Sequence, residues 1–281
     1  MGVTVMTDSG GDMTPEETAR AGIVVVPITI IFGSERLRDG VDLDRRAFAK
    51  RIAAGELPTT EPPSVEDYRQ AFDRAVKAGN QVVLLTVSAK ISKSFENAKA
   101  AAAAFAGAVE VVDSLCASGG ESLLAIYAME LAKAGNNAAT IAAKLQPSSL
   151  KRASFFAVWD VTHLGRTGRL PKALVALGGM LGVSLVLKFN DVGEIGLAGQ
   201  SRSFDKTCDL LVESLLRAVN HAPNIRVAIS HAQNEETAAM LSRTITAKLG
   251  HAPMEERVNE TTPSIAANMG PGAVGIFAIV P

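Results

Sequence analysis

The chain is poor in cysteine. Its 281 residues hold only Cys116 and Cys208, too few and too far apart for a disulfide framework or a CxxC metal pair. An excess of one charge is also missing. The 28 Lys and Arg nearly cancel the 29 Asp and Glu, which argues against the basic stripe of a nucleic-acid-binding protein. No run of 18 apolar residues occurs, so no membrane span is expected. The opening MGVTVMTDSGGD carries acids early and no basic stretch before an apolar core, so no secretory signal is expected. Histidine is scarce: His163, His221, His231 and His251 show no HExxH-type spacing, and no metal site is expected. No GxSxG elbow, no GxxxxGK[ST] phosphate loop and no GxGxxG after the first strand is present. With 47% hydrophobic and 20% charged residues, the chain is not disordered. The starting expectation is a soluble, cytoplasmic α/β protein.

What is present is an alternation. Short β-branched runs (Val3–Met6, Ile23–Ile31, Val82–Val87, Val109–Val112) are separated by helical stretches near 44–54, 64–79, 92–106 and 117–134. Thr14-Pro15 reads as an N-cap followed by proline at the first helical position. Residues 55–63, GELPTTEPP, read as an exposed loop. This β-α-β-α order predicts a parallel sheet covered by helices. Pro147-Ser148-Ser149 reads as a break. Beyond it, strands are expected at 155–159, 184–189, 194–200, 225–230 and 274–280, with helices at 205–219 and 235–249. The expected fold class is therefore α/β in two domains. Residues 1–148 form an α/β/α layer with a parallel sheet, and residues 149–281 a two-layer α/β unit with a mixed sheet.

Hydroxyls recur where strands end, the place where open α/β sheets bind ligands. They are Thr7-Asp8-Ser9, Ser88–Ser94, Asp113-Ser114, and Thr59-Thr60 in the proline-rich loop. Each could be no more than a helix cap. Together with helix N-termini they suit a carboxylate or phosphate. Arg166 and Arg169, in the LGRTGRL loop, could reach an anion bidentately. His231 and Cys116 each read as either functional or structural.

These pieces resemble the DegV family along nearly the whole chain. TDSGGD (7–12), the VPI at 26–28, TTEPPS (59–64), SAKISKSFENA (88–98), DS (113–114), GR (168–169) and GPGAVG (270–275) stand in that family's order and spacing. The resemblance implies a two-domain α/β protein that is not an enzyme. It implies one long-chain fatty acid in an apolar tunnel, the carboxylate at the domain interface, and no cofactor besides that ligand. In some members a separate fatty acid kinase phosphorylates the carboxylate and feeds phospholipid synthesis. Carried over by position, Thr60 and Ser92 should hydrogen-bond the carboxylate, with Arg169 near it and Ser114 in the DS element. The chain also departs from the family. Asn268 stands where His is usual, Glu61-Pro62 replace Ser-Gln, Lys93 replaces Gly, and Ser184-Leu185 stand where Lys-Pro is common. If Glu61 faced the head group, it would repel a carboxylate or share a proton with it. Two other readings stay open at this point. One is an α/β enzyme acting on a small anionic substrate, and the other is a scaffold with a vestigial site. A carrier needs a long apolar cavity, whereas an enzyme needs a compact polar pocket with a titrating group.

Overall fold

The computed structural model describes residues 2–105 and 107–281. Strand β1 (Val3–Asp8) runs into a single 3-10 turn started by Asp8, whose carboxylate accepts from the Gly10 N–H at 2.9 Å. Helix α1 (Pro15–Ala21) opens with a capping box between Thr14 and Glu17, has Pro15 in its first turn, and stops at Gly22 with φ 77°. The apolar run 23–31 is not one strand. Pro27 has no N–H to give a ladder, so β2 (Val24–Val26) pairs with β1 while β3 (Thr29–Phe32) departs. β3 pairs with β4 (Glu35–Arg38) and, beyond α2 (Arg45–Ala53), with β5 (Thr59–Glu61).

The three form a small antiparallel sheet, ordered β4-β3-β5. This corrects the exposed loop expected over 55–63. β5 is an edge strand of three residues, and Pro58, Pro62 and Pro63 lie just outside it, where no ladder bond is lost.

Helix α3 (Val65–Lys77) buries Tyr68, Ala71, Phe72 and Ala75, one face at helical spacing. Next come β6 (Gln81–Thr86), α4 (Ser94–Ala102), β7 (Val109–Asp113), α5 (Gly119–Lys133) and α6 (Ala138–Lys144). α4 is shorter than the helix expected over 92–106, whose last residue lies outside the described ones. The first sheet is wholly parallel, in the order β2-β1-β6-β7.

The rest of the chain gives β8 (Lys151–Val158), α7 (Thr162–Arg166), α8 (Lys172–Gly178), β9 (Ser184–Phe189) and β10 (Ile195–Ser201). After these come α9 (Phe204–Ala218), β11 (Arg226–His231), α10 (Glu235–Leu249), β12 (Glu255–Glu260), α11 (Pro263–Met269) and β13 (Val274–Val280). The mixed sheet is ordered β10-β9-β8-β13-β11-β12, with only β11 and β12 parallel.

Alternation along its strands sends side chains to two different cores. Val227, Ile229, Ile276 and Ala278 pack with Leu211, Leu215, Leu241 and Ile245 of α9 and α10. Ala228, Phe277 and Ile279 pack instead with Leu123 and Leu124 of α5. α5 thus lies between the two sheets, and ten of its fifteen residues are buried. It begins with Gly119-Gly120 because nothing larger fits there. A Cβ at Gly119 would stand 2.7 Å from Ala228 Cβ and 2.8 Å from the Phe277 ring. Residues on both sides of position 148 share this core.

Candidate functional site

A narrow cavity opens where β5, the loop after β6, the turn after α7, and α11 converge. Its volume is about 70 Å³. The walls are mainly apolar: Ile28, Val87, Ile91, Phe156, Leu164, Phe189, Ile195, Ile265, Met269 and Phe277. Thr60, Ser92, Arg169 and Asn268 line the same cavity, and all four are half-buried.

Thr60 is the middle residue of β5, in register with the fully buried Ile30. Its hydroxyl oxygen accepts from Arg169 Nη2 at 3.3 Å and Asn268 Nδ2 at 3.4 Å. A hydroxyl has two lone pairs and one proton. With both lone pairs taken, Thr60 has its proton left to donate.

Arg169 follows Gly168, whose φ of 70° turns the chain off the end of α7. Besides Thr60, it donates from Nε to Ile91 O at 3.2 Å and from Nη1 to Thr167 O at 3.3 Å. Every one of these acceptors is neutral, and burial pulls the guanidinium below its usual range. A half-buried cation served only by neutral oxygens favours an oxygen-bearing ligand. Ser92 Oγ accepts the Ser94 N–H at 3.1 Å, at the start of α4, and lies 3.1 Å from Ser94 Oγ.

Asn268 and Ser264 sit one turn apart on α11, so both face one side. Asn268 Nδ2 donates to Ser264 O at 2.8 Å, and its Oδ1 is buried with no partner.

The sequence reading missed Ser118 and Ser264, which also line the cavity. It missed α11 altogether, although Thr262-Pro263 is the same cap-and-proline signature that marked α1. Behind these two serines lies a buried carboxylate layer. Ser118 Oγ donates to Asp12, and the Ser264 N–H donates to Asp39 Oδ2 at 3.1 Å. Asp8 and Asp39 are pushed up to about 6 by burial, and burial raises Asp12 and Glu121 as well.

Other expected groups lie elsewhere. Glu61 neighbours Thr60 on a strand, so its side chain takes the opposite face. It forms an exposed ion pair with Arg36 that holds its carboxyl below the usual range. Glu61 therefore does not line the cavity, and the condition for repulsion or proton sharing is not met in this structure. Ser114 is fully buried and donates to Cys116 O at 3.1 Å, away from the cavity lining. Arg166 donates to Pro58 O at 2.6 Å and anchors the proline-rich segment.

Cys116 is buried and its thiol is pushed up to about 12, which leaves it unreactive. His231 accepts from the Asn234 N–H at 3.2 Å, a local structural bond. Asp113 accepts from Leu115 and Ala89 N–H groups. Thr7, Asp8 and Ser9 border a separate, wider groove with Asp39 and Arg45. Of the four hydroxyl clusters, only those at 59–60 and 88–94 reach the apolar cavity. No group of three or more His, Cys, Asp or Glu among the described residues is placed to hold a metal. No helix among them is long and apolar enough to cross a membrane.

The fold and the site define the class: an α/β protein that pairs a parallel with a mixed sheet and keeps a narrow apolar cavity with a polar patch. Residues 2–280 match the family model described as an uncharacterised protein of the DegV family, and the chain belongs to that family. A DegV domain-containing protein of Deinococcus radiodurans is 30% identical over 277 residues, covering 98% of each chain. A Thermus thermophilus DegV family structure, described by its fatty acid binding, superposes with a TM-score of 0.92 at 28% identity over the whole of both chains. Bacillus subtilis DegV, described as a fatty acid binding protein, gives 0.87 at 27% identity, again over both whole chains.

Proposed function

We propose that this protein binds a long-chain fatty acid, with the acyl chain along the apolar walls and the carboxyl at Thr60, Ser92, Arg169 and Asn268. The observation that carries this reading is the cavity itself. Its lining is predominantly apolar, and its polar patch is a hydrogen-bonded set around a guanidinium that meets only neutral acceptors. The patch also joins the two halves of the chain, since Thr60 and Ser92 precede residue 148 and Arg169 and Asn268 follow it.

The energetics agree. Burying about fifteen methylenes at about 0.8 kcal/mol each gives roughly 12 kcal/mol of gross driving force. Association and ordering take back much of this. The small-anion enzyme has less support, because no Asp, Glu, His or Cys among the described residues lines the cavity.

The extension in which a separate kinase phosphorylates the held carboxyl, in the cytoplasm, rests on the family resemblance. It would show as acyl phosphate formed from the loaded protein, ATP and such a kinase.

The test of the central reading is mass spectrometry of freshly purified protein, native and then after organic extraction. One fatty acid per chain is the expected result. An empty protein that also fails to take up palmitate or oleate refutes it.

A further inference from the structure

The mixed sheet closes the cavity with three phenylalanines, Phe156 of β8, Phe189 of β9 and Phe277 of β13. An acyl tail leaving the polar patch, which belongs to β5, α11 and the loops, meets these rings on the sheet.

Two of the rings are locked. Phe277 is 1% exposed, and Cβ atoms at Gly119, Gly120 and Gly275 would stand 2.8, 3.1 and 2.7 Å from its ring. Phe156 is 3% exposed. Phe189 is different. It is half-buried, with its ring centre 5.8 Å from that of Phe156. It also lines a second pocket of about 280 Å³, with Leu115, Cys116, Arg152 and Ser154. Its ring therefore stands between the two spaces.

The backbone at this point is fixed. Phe189 is in register with Ile195. The hairpin beyond it is closed by Asn190 Oδ1, which accepts from the Val192 and Glu194 N–H groups at 3.1 and 2.9 Å. Ser88 Oγ donates to Gly193 O at 2.8 Å and ties the hairpin to the loop after β6. What is free to change is the side-chain rotamer, and the second pocket gives the ring room.

Space sets the consequence. A methylene fills roughly what a water molecule fills in the liquid, about 30 Å³. A cavity of about 70 Å³ takes few of them, so a long chain needs a wall to yield. Rings held in close packing do not yield, which leaves Phe189.

We propose that Phe189 sets the length of acyl chain that this protein accepts. Turned toward Phe156, its ring ends the cavity. Turned into the second pocket, it gives its place to the chain, room for roughly three methylenes. Beyond it lie Lys151 and Arg152, against which further hydrocarbon leaves no water for an apolar wall and gains nothing. The proposal rests on the fatty-acid reading above and adds its chain-length specificity.

The experiment measures the affinities of saturated fatty acids of eight to eighteen carbons, each kept below aggregation. It compares the parent with Phe189→Ala, Phe189→Leu and Phe189→Trp, with a thermal melt of each. In the parent, affinity should climb by up to about fourfold per methylene and then level off. Phe189→Ala should move the levelling point about three carbons longer. Phe189→Leu should move it about one carbon longer and Phe189→Trp about one carbon shorter. The last two keep the position apolar and carry the test if Phe189→Ala does not fold. Lost packing alone would lower affinity at every length and leave the levelling point in place. That result in the folded variants overturns the proposal, and so does a parent whose affinity still climbs at eighteen carbons. A parent that binds none of the acids refutes the fatty-acid reading itself, which is a different result from an unmoved levelling point.

Discussion

Removing the Thr60 hydroxyl is the sharpest test of the polar patch. Thr60→Val keeps the β-branched shape that an edge strand tolerates and deletes one oxygen. That oxygen accepts from Arg169 Nη2 and Asn268 Nδ2 and has its own proton free for the ligand. Losing one hydrogen bond to a neutral partner costs about 0.5–1.5 kcal/mol, and leaving a partner unsatisfied costs about 1–3 kcal/mol. Arg169 and Asn268 keep their other bonds, to Ile91, Thr167 and Ser264. The loss should therefore fall near the middle of these ranges, about 1.4 kcal/mol or tenfold in affinity. Thr60 is only half-buried, so the unfolding midpoint should change little. Isothermal titration with dodecanoate, beside a thermal melt, reads both. Thr60→Ser, which keeps the hydroxyl, should stay within about threefold of the parent, on the order of half a kcal/mol. A folded Thr60→Val variant with less than twofold change refutes the assignment of the head group to this patch.

The other substitutions divide the site from its surroundings. Ser92→Ala should weaken fatty-acid binding about three- to tenfold by titration calorimetry, one neutral hydrogen bond's worth. Glu61→Gln should leave that affinity unchanged, because the carboxylate pairs with Arg36 on the outer face; a shift of fivefold or more would return Glu61 to the head-group region. Gly119→Ala should destabilise the fold by about 1–3 kcal/mol in urea titration, since the new methyl meets Ala228 and Phe277 at under 3 Å. Asp39→Asn tests the carboxylate layer. Burial raises Asp39 from 3.8 to about 6, so the folded state keeps a proton that the unfolded state has lost between those values. Its contribution therefore favours folding at low pH and is lost as pH rises through that window. Asp39→Asn should gain stability relative to the parent between pH 4 and 7.5, by up to about 3 kcal/mol, and an unchanged difference would refute the shift.

The sequence was most legible where local chemistry decides structure. Thr14-Pro15, Ser64 and Asp44 are caps by residue type, and each caps the expected helix. The run at 82–87 is continuous because β6 is buried on both faces. It was least legible where distant contacts decide. Pro27 splits an apolar run because β3 finds its partners further along, Ile30 pairing with Leu37 of β4 and Thr60 of β5, rather than in the first sheet. The strand character of Thr59–Glu61 comes from that pairing, not from its own composition. α11 is too short for a periodic pattern, and it carries Asn268 and Ser264 into the cavity through packing on α7 and β5. The neighbours Thr60 and Glu61 were both candidates by motif. Only knowing that 59–61 is a strand separates them, one inward and one outward.

The cavity assigns different tasks to its two surfaces. Head-group hydrogen bonds contribute about 1–3 kcal/mol each at most, while each buried methylene contributes about 0.8 kcal/mol. Four methylenes therefore outweigh any one polar residue. It follows that no single change at Thr60, Ser92 or Asn268 should abolish binding of a long chain, and that each should be masked as the acyl chain lengthens toward the limit of the walls. The polar patch can still set which head group is accepted, because that is a difference between ligands with the same chain, and the chain's contribution cancels from it. On the proposed reading, affinity belongs to Phe156, Phe189, Phe277 and the aliphatic wall, and chemical selectivity to the polar patch of Thr60, Ser92, Arg169 and Asn268.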